Sequence, residues 1–305
     1  MIDLERKVLY GRAVRDPGEL GAFTTLFGSC FVLGLGAIGT ACAVSFGLSG
    51  TGGPAFSAVL SASLIFLNAG ITGFREGLRK RSDVKRKERT LKEFPDRPWE
   101  SDCEWDKYEA KVNHTKEGLE QLFILRYFAL LLLPFNYWAW VAIAPSSMAL
   151  CVLGILDLLL LVKIFRASYR IAQGVKYGTS HLKFERFPYS IGEALDVKFS
   201  TLRPIGEFRN AKLTCRCIEE ETIEQNGKRI KSCVQIFAEE IEIDEPGNMG
   251  TEELPIFFSI PADQPGTSLV KPPLRYWELE IKAQTTGVNF EALFPLPIYV
   301  KPTAS

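Results

Sequence analysis

Long stretches without charge occupy most of the first half of this 305-residue chain. No charged residue occurs from Leu20 to Leu48 or from Pro54 to Phe74, and Asp157 is the single charge from Tyr127 to Val162. A helix that crosses a bilayer needs about 20 consecutive apolar residues. The pattern predicts four transmembrane helices in two hairpins, so an integral membrane protein is the expected class.

The predicted organisation has five parts, with a polar, strand-rich region after the last apolar run. The odd count of seven cysteines and only two histidines make a Cys/His zinc site unlikely, and no cofactor is expected. The parts are an N-terminal segment 1–20, a first hairpin 21–75 (spans about 21–47 and 54–74), a basic loop 76–121, a second hairpin 122–165 (spans about 124–144 and 147–165) and a β-sandwich 178–305.

The distribution of Lys and Arg sets the expected orientation in the membrane. Neither the turn Ser49–Gly53 nor the turn around Pro145 carries a basic residue, whereas basic residues precede the first hairpin and follow both hairpins. Cytoplasmic loops carry the excess of Lys and Arg. We therefore expect a multi-pass protein of the plasma (inner) membrane with its N-terminus and sandwich in the cytoplasm, where thiols stay reduced.

Small residues recur every four positions in the first span, at Gly39, Ala43 and Gly47. This spacing lets helix backbones approach closely in lipid, so we expect the first two helices to pack antiparallel. A homo-oligomer formed through the same faces is the alternative. The stretch Gly34–Gly39 also matches G-x-G-x-x-G, but a nucleotide site needs a preceding strand and an acidic residue about 20 positions later, where this chain has Val59.

Three polar residues lie within the predicted spans: Asp157, Asn68 and Asn136. A carboxylate inside a membrane is a functional candidate, and Asp157 with Asn68 or Asn136 could line the path of a small transporter or channel subunit. The structural alternative is a hydrogen-bonded Asp157 that faces the bundle. Ion pathways normally need more polar groups in series, which favours the structural role.

A basic segment follows the second span, and residues 75–93 are expected to continue that helix into the cytoplasm. The cluster can contact anionic lipids or serve only as a topology signal. Nucleic acid is not an expected partner, because the cluster lies beside the bilayer and no recognition fold accompanies it. The candidate lipid-contact residues are Arg79, Lys80, Arg81, Lys85, Arg86 and Lys87.

Four tryptophans lie at expected boundaries. Trp138 and Trp140 follow Pro134 in the third span, and such rings favour the headgroup region of a bilayer. Trp99 and Trp105 lie in the loop between the hairpins, where we expect them at the membrane interface or at the domain junction.

The region after Gly178 changes to the alternation that is typical of strands. Asn226-Gly227 is a hairpin turn signal, and prolines separate the other runs. Seven strands at this spacing predict an antiparallel, immunoglobulin-like sandwich. They are His181–Phe187, Ala194–Ser200, Ala211–Glu219, Arg229–Ile243, Leu254–Ile260, Leu274–Thr285 and Glu291–Lys301.

Four stretches together resemble a bacterial membrane-protein family of unknown function. They are Phe94–Trp99 followed by Trp105, Ser190–Leu195, Ile260–Pro265, and Tyr276–Ile281 with its continuation to Pro295–Ile298. In that family a transmembrane hairpin precedes a Pro-Asp-x-Pro-Trp segment, a second hairpin follows, and a β-sandwich closes the chain. The last two stretches are also similar to the distal strands of arrestin-like sandwiches. The resemblance implies an architecture and no activity.

No catalytic constellation is evident, since the sequence lacks Gly-x-Ser-x-Gly, a Walker loop and His-Glu-x-x-His. A non-enzymatic role is therefore expected. The leading hypothesis is a membrane-anchored scaffold that presents the sandwich to a protein partner, as yet unidentified. The alternatives are the small transporter or channel subunit and a lipid-sensing envelope scaffold.

Overall fold

Five helices and twelve strands form the described part of the chain in the computed structural model, which covers residues 7–8, 19–48, 54–94, 97–102, 105–137, 147–225, 228–243, 247–249, 253–269 and 273–301. The helices are α1 Glu19–Leu48, α2 Pro54–Glu93, α3 Pro98–Asp102, α4 His114–Tyr137 and α5 Ser147–Tyr177. The strands are β1 Lys7–Val8, β2 Glu109–Val112, β3 Ser180–Phe184, β4 Tyr189–Ser190, β5 Ala194–Thr201, β6 Gly206–Gln225, β7 Lys228–Ile243, β8 Gly247–Met249, β9 Leu254–Ser259, β10 Leu274–Thr285, β11 Phe290–Leu296 and β12 Ile298–Tyr299.

The chain divides into two units. The sandwich unit contains Met1–Pro17, Lys85–Thr115 and Ala172–Ser305, and the helical unit contains Gly18–Val84 and Lys116–Ile171. The sandwich unit therefore extends beyond the predicted range 178–305, because the N-terminal segment and the loop between the hairpins each contribute a strand.

Helices occupy all four predicted spans, and α2 continues to Glu93 as expected. Among the described residues, only Phe23–Ser45 in α1 is long and apolar enough to cross a membrane. The outer part of the third predicted span, from position 138 to 144, lies outside the described residues. The finding is one candidate span, so four transmembrane helices remain a prediction.

Helices α1 and α2 pack closely through small residues, as their spacing predicts. A Cβ atom placed on Gly36 would lie 2.6 Å from the backbone nitrogen of Leu67, well inside van der Waals contact. By contrast, Gly34 has nothing within 4 Å of such an atom. The G-x-G-x-x-G stretch thus lies in the middle of one helix rather than at the point where a strand leads into a helix. The close approaches run antiparallel, from Gly36 to Leu67, Gly39 to Ser63, Gly70 to Leu33, Gly73 to Ser29 and Gly77 to Leu26.

Helices α4 and α5 form a second antiparallel pair within the helical unit. Gly118 of α4 approaches the backbone oxygen of Ala167, where a Cβ atom would lie 2.8 Å away. Arg170, one helical turn from Ala167, forms an ion pair of 3.1 Å with Glu117, which precedes Gly118 in the chain. The small residue again permits the contact, because a side chain at position 118 would separate the helices.

The sandwich unit contains a larger and a smaller sheet that face each other. The larger has the order β1-β7-β6-β10-β11, with β8 also paired to β6, and the smaller has the order β2-β3-β5-β9. Their pairs are antiparallel, which confirms the predicted sandwich, while β4 and β12 form a separate parallel pair. All seven predicted strands are present, although β6 extends well beyond the predicted Ala211–Glu219 at both ends and the predicted Glu291–Lys301 divides into β11 and β12.

The core of the sandwich lies between the two sheets and is rich in aromatic residues. Phe199 of the smaller sheet packs against Phe290 and Phe294 of the larger one, with ring centroids 5.7 and 6.0 Å apart. Trp277 is fully buried, and its indole nitrogen donates a 2.9 Å hydrogen bond to the carbonyl oxygen of Pro265. The alternation of Trp277, Leu279 and Ile281 toward the core is confirmed.

Strand β2 is an edge strand that the sequence did not reveal. It pairs with β3, so that Glu109 lies opposite Lys183 and Val112 opposite Ser180. The Glu109 carboxylate lies 2.8 Å from Nδ1 of His181 on β3 and 2.5 Å from the ammonium of Lys111 on its own strand. These hydrogen bonds lower the pKa of Glu109.

Candidate functional site

The Pro-Trp segment packs on the sandwich through two tryptophans. The ring of Trp99 lies edge-on to Tyr299 at 5.8 Å, and the indole nitrogen of Trp105 donates a 3.0 Å hydrogen bond to the Tyr299 hydroxyl. Trp105 also contacts Phe187, with ring centroids 6.5 Å apart. Both predicted boundary tryptophans therefore contact residues of the sandwich unit, whereas Trp138 and Trp140 lie outside the described residues.

Asp102, the last residue of α3, fixes the segment from the other side. Its Oδ1 accepts a 3.1 Å hydrogen bond from the backbone nitrogen of Leu269, and its Oδ2 has no hydrogen-bond partner in the described part of the chain. Burial raises the pKa of this carboxyl, although the Leu269 amide, the Tyr299 hydroxyl and Lys87 act in the opposite direction. This role could not be predicted, because the two residues in contact are 167 positions apart along the chain.

An open cleft of about 420 Å³ lies beside this segment. Its walls come from α3, the start of β2, the end of β3 and the turn that follows β3. Aromatic rings and charged side chains alternate around it, and Tyr108 is 80% exposed at its rim. The lining residues are Arg97, Trp99, Glu100, Lys107, Tyr108, Phe184, Glu185, Arg186, Phe187 and Pro188.

Two cations of the cleft are available to a ligand. The ammonium of Lys107 pairs with Glu100 at 3.6 Å, and Glu185 pairs with Lys198 at 2.5 Å. Arg97 and Arg186 form no ion pair with any residue that the structure describes. Since the guanidinium group binds carboxylates in a two-pronged geometry, the cleft combines an apolar surface with two anion-binding groups.

The polar residues of the predicted spans separate into two contacts. Asn136 donates a 3.0 Å hydrogen bond to Asp157, which joins α4 to α5. Asn68 instead accepts a 2.9 Å hydrogen bond from the Tyr127 hydroxyl. Tyr127 and Asn136 lie about 14 Å apart along α4 at 1.5 Å per residue. The three candidates thus form two separate contacts, which gives the path expected of a transporter no support in the described residues.

The six basic candidates for lipid contact lie on one continuous helix, α2. Five of them, Arg79, Lys80, Arg81, Lys85 and Arg86, are exposed, and Lys87 is half-buried. They surround the helix rather than follow one face, since they occur at consecutive positions. Contact with anionic lipids stays a prediction for this segment.

The cysteines of the sandwich are buried rather than reactive. Cys215 and Cys217 point to the core from the same face of β6, as their spacing predicts, and Cys233 is also buried. Burial raises the pKa of both Cys215 and Cys217, so these thiols stay protonated and unreactive at neutral pH.

Comparison with known proteins finds likenesses among solved structures alone. The crystal structure of Spo0M, a sporulation control protein from Bacillus subtilis, is similar over 40% of this chain and 49% of its own, with 14% identity and a TM-score of 0.30. The chain thus spans about half the length of that protein. No family model and no curated protein matches the chain.

Proposed function

We propose that this chain is a four-span membrane protein whose cytoplasmic sandwich, arrestin-like in type, binds an acidic linear segment of a protein partner. The surface of the helical unit supports its place in a bilayer. Small residues such as Ser29, Gly36 and Ser63 are buried between the helices, while large apolar side chains point outward. Exposed examples are Phe23, Phe27, Phe31, Ile38, Phe128, Leu158, Leu161 and Phe165.

The connectivity of the sandwich supports paired crossings. Strand β1 precedes α1, strand β2 lies between α2 and α4, and β3 follows α5, yet all three belong to one sandwich unit. A chain that returns to the same side of a membrane must cross it an even number of times. If α1 crosses, α2 must cross back before β2, and the same parity applies to α4 and α5.

The charge distribution supports the cytoplasmic side. All three segments that build the sandwich unit carry the basic residues, and the two turns without Lys or Arg fall on the opposite side in this topology. The buried, protonated thiols of β6 agree with either compartment, so the orientation depends on the charges.

The cleft is the observation that carries the proposed binding role. Trp99, Tyr108 and Phe187 supply an apolar surface for side chains of an extended peptide. Arg97 and Arg186 supply charges that select acidic residues. Sites of this kind gain affinity from a few buried aromatic and arginine anchors.

Position-specific crosslinking in cells tests this role. A photoreactive amino acid at Tyr108, which is 80% exposed at the cleft, is compared with one at Leu202, which is 67% exposed elsewhere on the sandwich. We expect a discrete adduct from position 108 and none from position 202. The adduct should disappear in Arg97→Glu and persist in Arg209→Glu, a matched reversal of an exposed arginine away from the cleft. Adducts of equal yield from both positions, or an adduct that persists in Arg97→Glu, would contradict the proposal.

A further inference from the structure

Arg126 of α4 lies among apolar residues of the helical unit, and its side chain is held in one orientation. The guanidinium carbon of Arg126 lies 3.5 Å from the centroid of the Phe123 ring, and its Nη2 donates a 3.0 Å hydrogen bond to the Tyr127 hydroxyl. That hydroxyl in turn donates its proton to Asn68 of α2, at 2.9 Å. Stacking and hydrogen bonding together hold the guanidinium plane in one orientation.

No acidic residue in the described part of the chain neutralises the charge of Arg126. In the portion of the chain that the structure describes, no carboxylate forms an ion pair with it, whereas Arg170 on the neighbouring helix pairs with Glu117. Its surroundings are apolar and outward-facing, with Ile124 and Phe128 both more than half exposed. A cation among lipid-facing side chains is costly unless it reaches an anion or water.

A second cation lies at a similar level of the bundle. The contacts Asn136–Asp157 and Glu117–Arg170 bracket Arg126 on α4 and place the facing stretch of α5 between residues 157 and 170. Lys163 lies in that stretch and is exposed. Arg126 lies about midway between Glu117 and Asn136, and Lys163 about midway between Asp157 and Arg170, so the two cations lie at a similar depth of the helical unit.

We propose that Arg126, which the Tyr127 hydroxyl holds in place, binds the phosphate of an anionic phospholipid, with Lys163 as the second cation. This inference rests on the proposed insertion of the helices in a bilayer. The guanidinium has five N–H donors and uses one in the hydrogen bond to Tyr127. Two of the remaining N–H groups can therefore donate to two phosphate oxygens. A lipid fits this position because its acyl chains cover Phe128 and Ile124 while its phosphate lies beside Arg126. The site differs from the basic segment of α2, whose charges surround the helix.

Lipid retention by the full-length protein tests the site. The purified protein in neutral detergent is titrated with phosphatidylglycerol, and bound lipid is counted by native mass spectrometry. We expect Arg126→Gln to weaken binding about tenfold. Tyr127→Phe keeps the ring and the charge, removes the orienting hydroxyl, and should give a smaller loss. Arg81→Gln, which removes an exposed charge of the α2 segment, is the matched control and should change binding less than about twofold.

Each outcome decides a separate point. Equal loss in Arg126→Gln and Arg81→Gln would overturn the site in favour of unspecific attraction. Inorganic phosphate that binds as well as the lipid would overturn the lipid as the ligand. An Arg126→Gln protein that elutes as a single species yet binds lipid normally would overturn the inference and leave the proposed membrane insertion intact. Failure of membrane insertion itself would appear in a separate measurement, in which cysteine labelling by an impermeant maleimide would not depend on the side of the membrane.

Discussion

The contact between α1 and α2 makes a sharp prediction about two glycines that lie two positions apart. In Gly36→Ala, the new Cβ atom would lie 2.6 Å from the Leu67 backbone nitrogen, whereas ordinary contact begins at 3.4 Å. The helices must therefore separate by about 0.8 Å at this level. Gly34→Ala meets open space, since nothing lies within 4 Å of its Cβ position.

The cost of Gly36→Ala follows from the lost packing. Each pair of atoms in contact contributes an attraction of about 0.1–0.2 kcal/mol. A gap of about 0.5–1 Å removes about a quarter to a half of that attraction. Over roughly 30 pairs along the close stretch, the middle of both ranges gives a loss of about 1–2 kcal/mol. This agrees with the usual cost of an overpacked contact, about 1–3 kcal/mol. Gly34→Ala should be neutral or slightly stabilising, because Ala favours the helix over Gly.

Unfolding of the purified full-length protein by sodium dodecyl sulfate, followed by circular dichroism, measures the difference. The expected loss corresponds to about a 5- to 30-fold shift in the unfolding equilibrium for Gly36→Ala, with Gly34→Ala near the wild type. Equal effects at both positions would refute the close approach of α1 and α2, because the two substitutions differ only in the face of α1 that they occupy.

Four further predictions concern the sandwich unit. Asp102→Ala should lower the free energy of unfolding by about 1–3 kcal/mol because the Leu269 amide loses its buried acceptor. Because burial raises the pKa of Asp102, wild-type stability should fall as the pH rises above the ordinary range of a carboxyl, and the pH titration of Asp102→Asn should lack this fall. Arg216→Met should cost about 3–5 kcal/mol in denaturant melts because it removes the arginine that forms an ion pair with the buried Glu278 carboxylate, and a cost below about 1 kcal/mol would contradict this. A soluble fragment 178–305 should be less protected in hydrogen exchange than the same fragment linked to 85–115, since it lacks β2 and α3.

Much of the fold could be predicted because its signals are local. Charge-free runs marked the positions of four helices, and alternation marked the seven long strands of the sandwich. The spacing of Gly39 and its neighbours predicted the close contact of the first two helices. Each of these signals repeats over many residues, so one local irregularity does not hide it.

The short strands β1 and β2 could not be predicted in the same way. They contain two and four residues, too few for a periodic pattern, and their partners are more than 60 residues away along the chain. The cleft was missed for the same reason, since Tyr108 and Phe187 come together only when β2 joins β3. Asp102 gave no signal because a lone acidic residue in a polar loop is usually solvated.

The pairing of polar residues also depended on three-dimensional register. Sequence identified Asp157, Asn68 and Asn136 as candidates but could not tell which of them meet. The structure joins Asn136 to Asp157 and gives Asn68 to Tyr127. This division favours a structural role for Asp157 over a polar pathway.

The most direct test of the account is the side of the membrane on which each part of the chain lies. The native thiols Cys215, Cys217 and Cys233 are buried and cannot report it, so an exposed cysteine is introduced at Leu202 of the sandwich. A second variant carries Ser49→Cys in the predicted turn of the first hairpin. Both are made with Cys103→Ser, and that parent protein measures background labelling by a membrane-impermeant maleimide in sealed cells.

If the sandwich lies in the cytoplasm and the helices cross in pairs, Leu202→Cys is labelled only after lysis, while Ser49→Cys is labelled in intact cells. Labelling of Leu202→Cys in intact cells together with protection of Ser49→Cys would reverse the orientation. Labelling of both positions in intact cells, or of neither, would contradict the paired crossings on which the proposed membrane-anchored module depends.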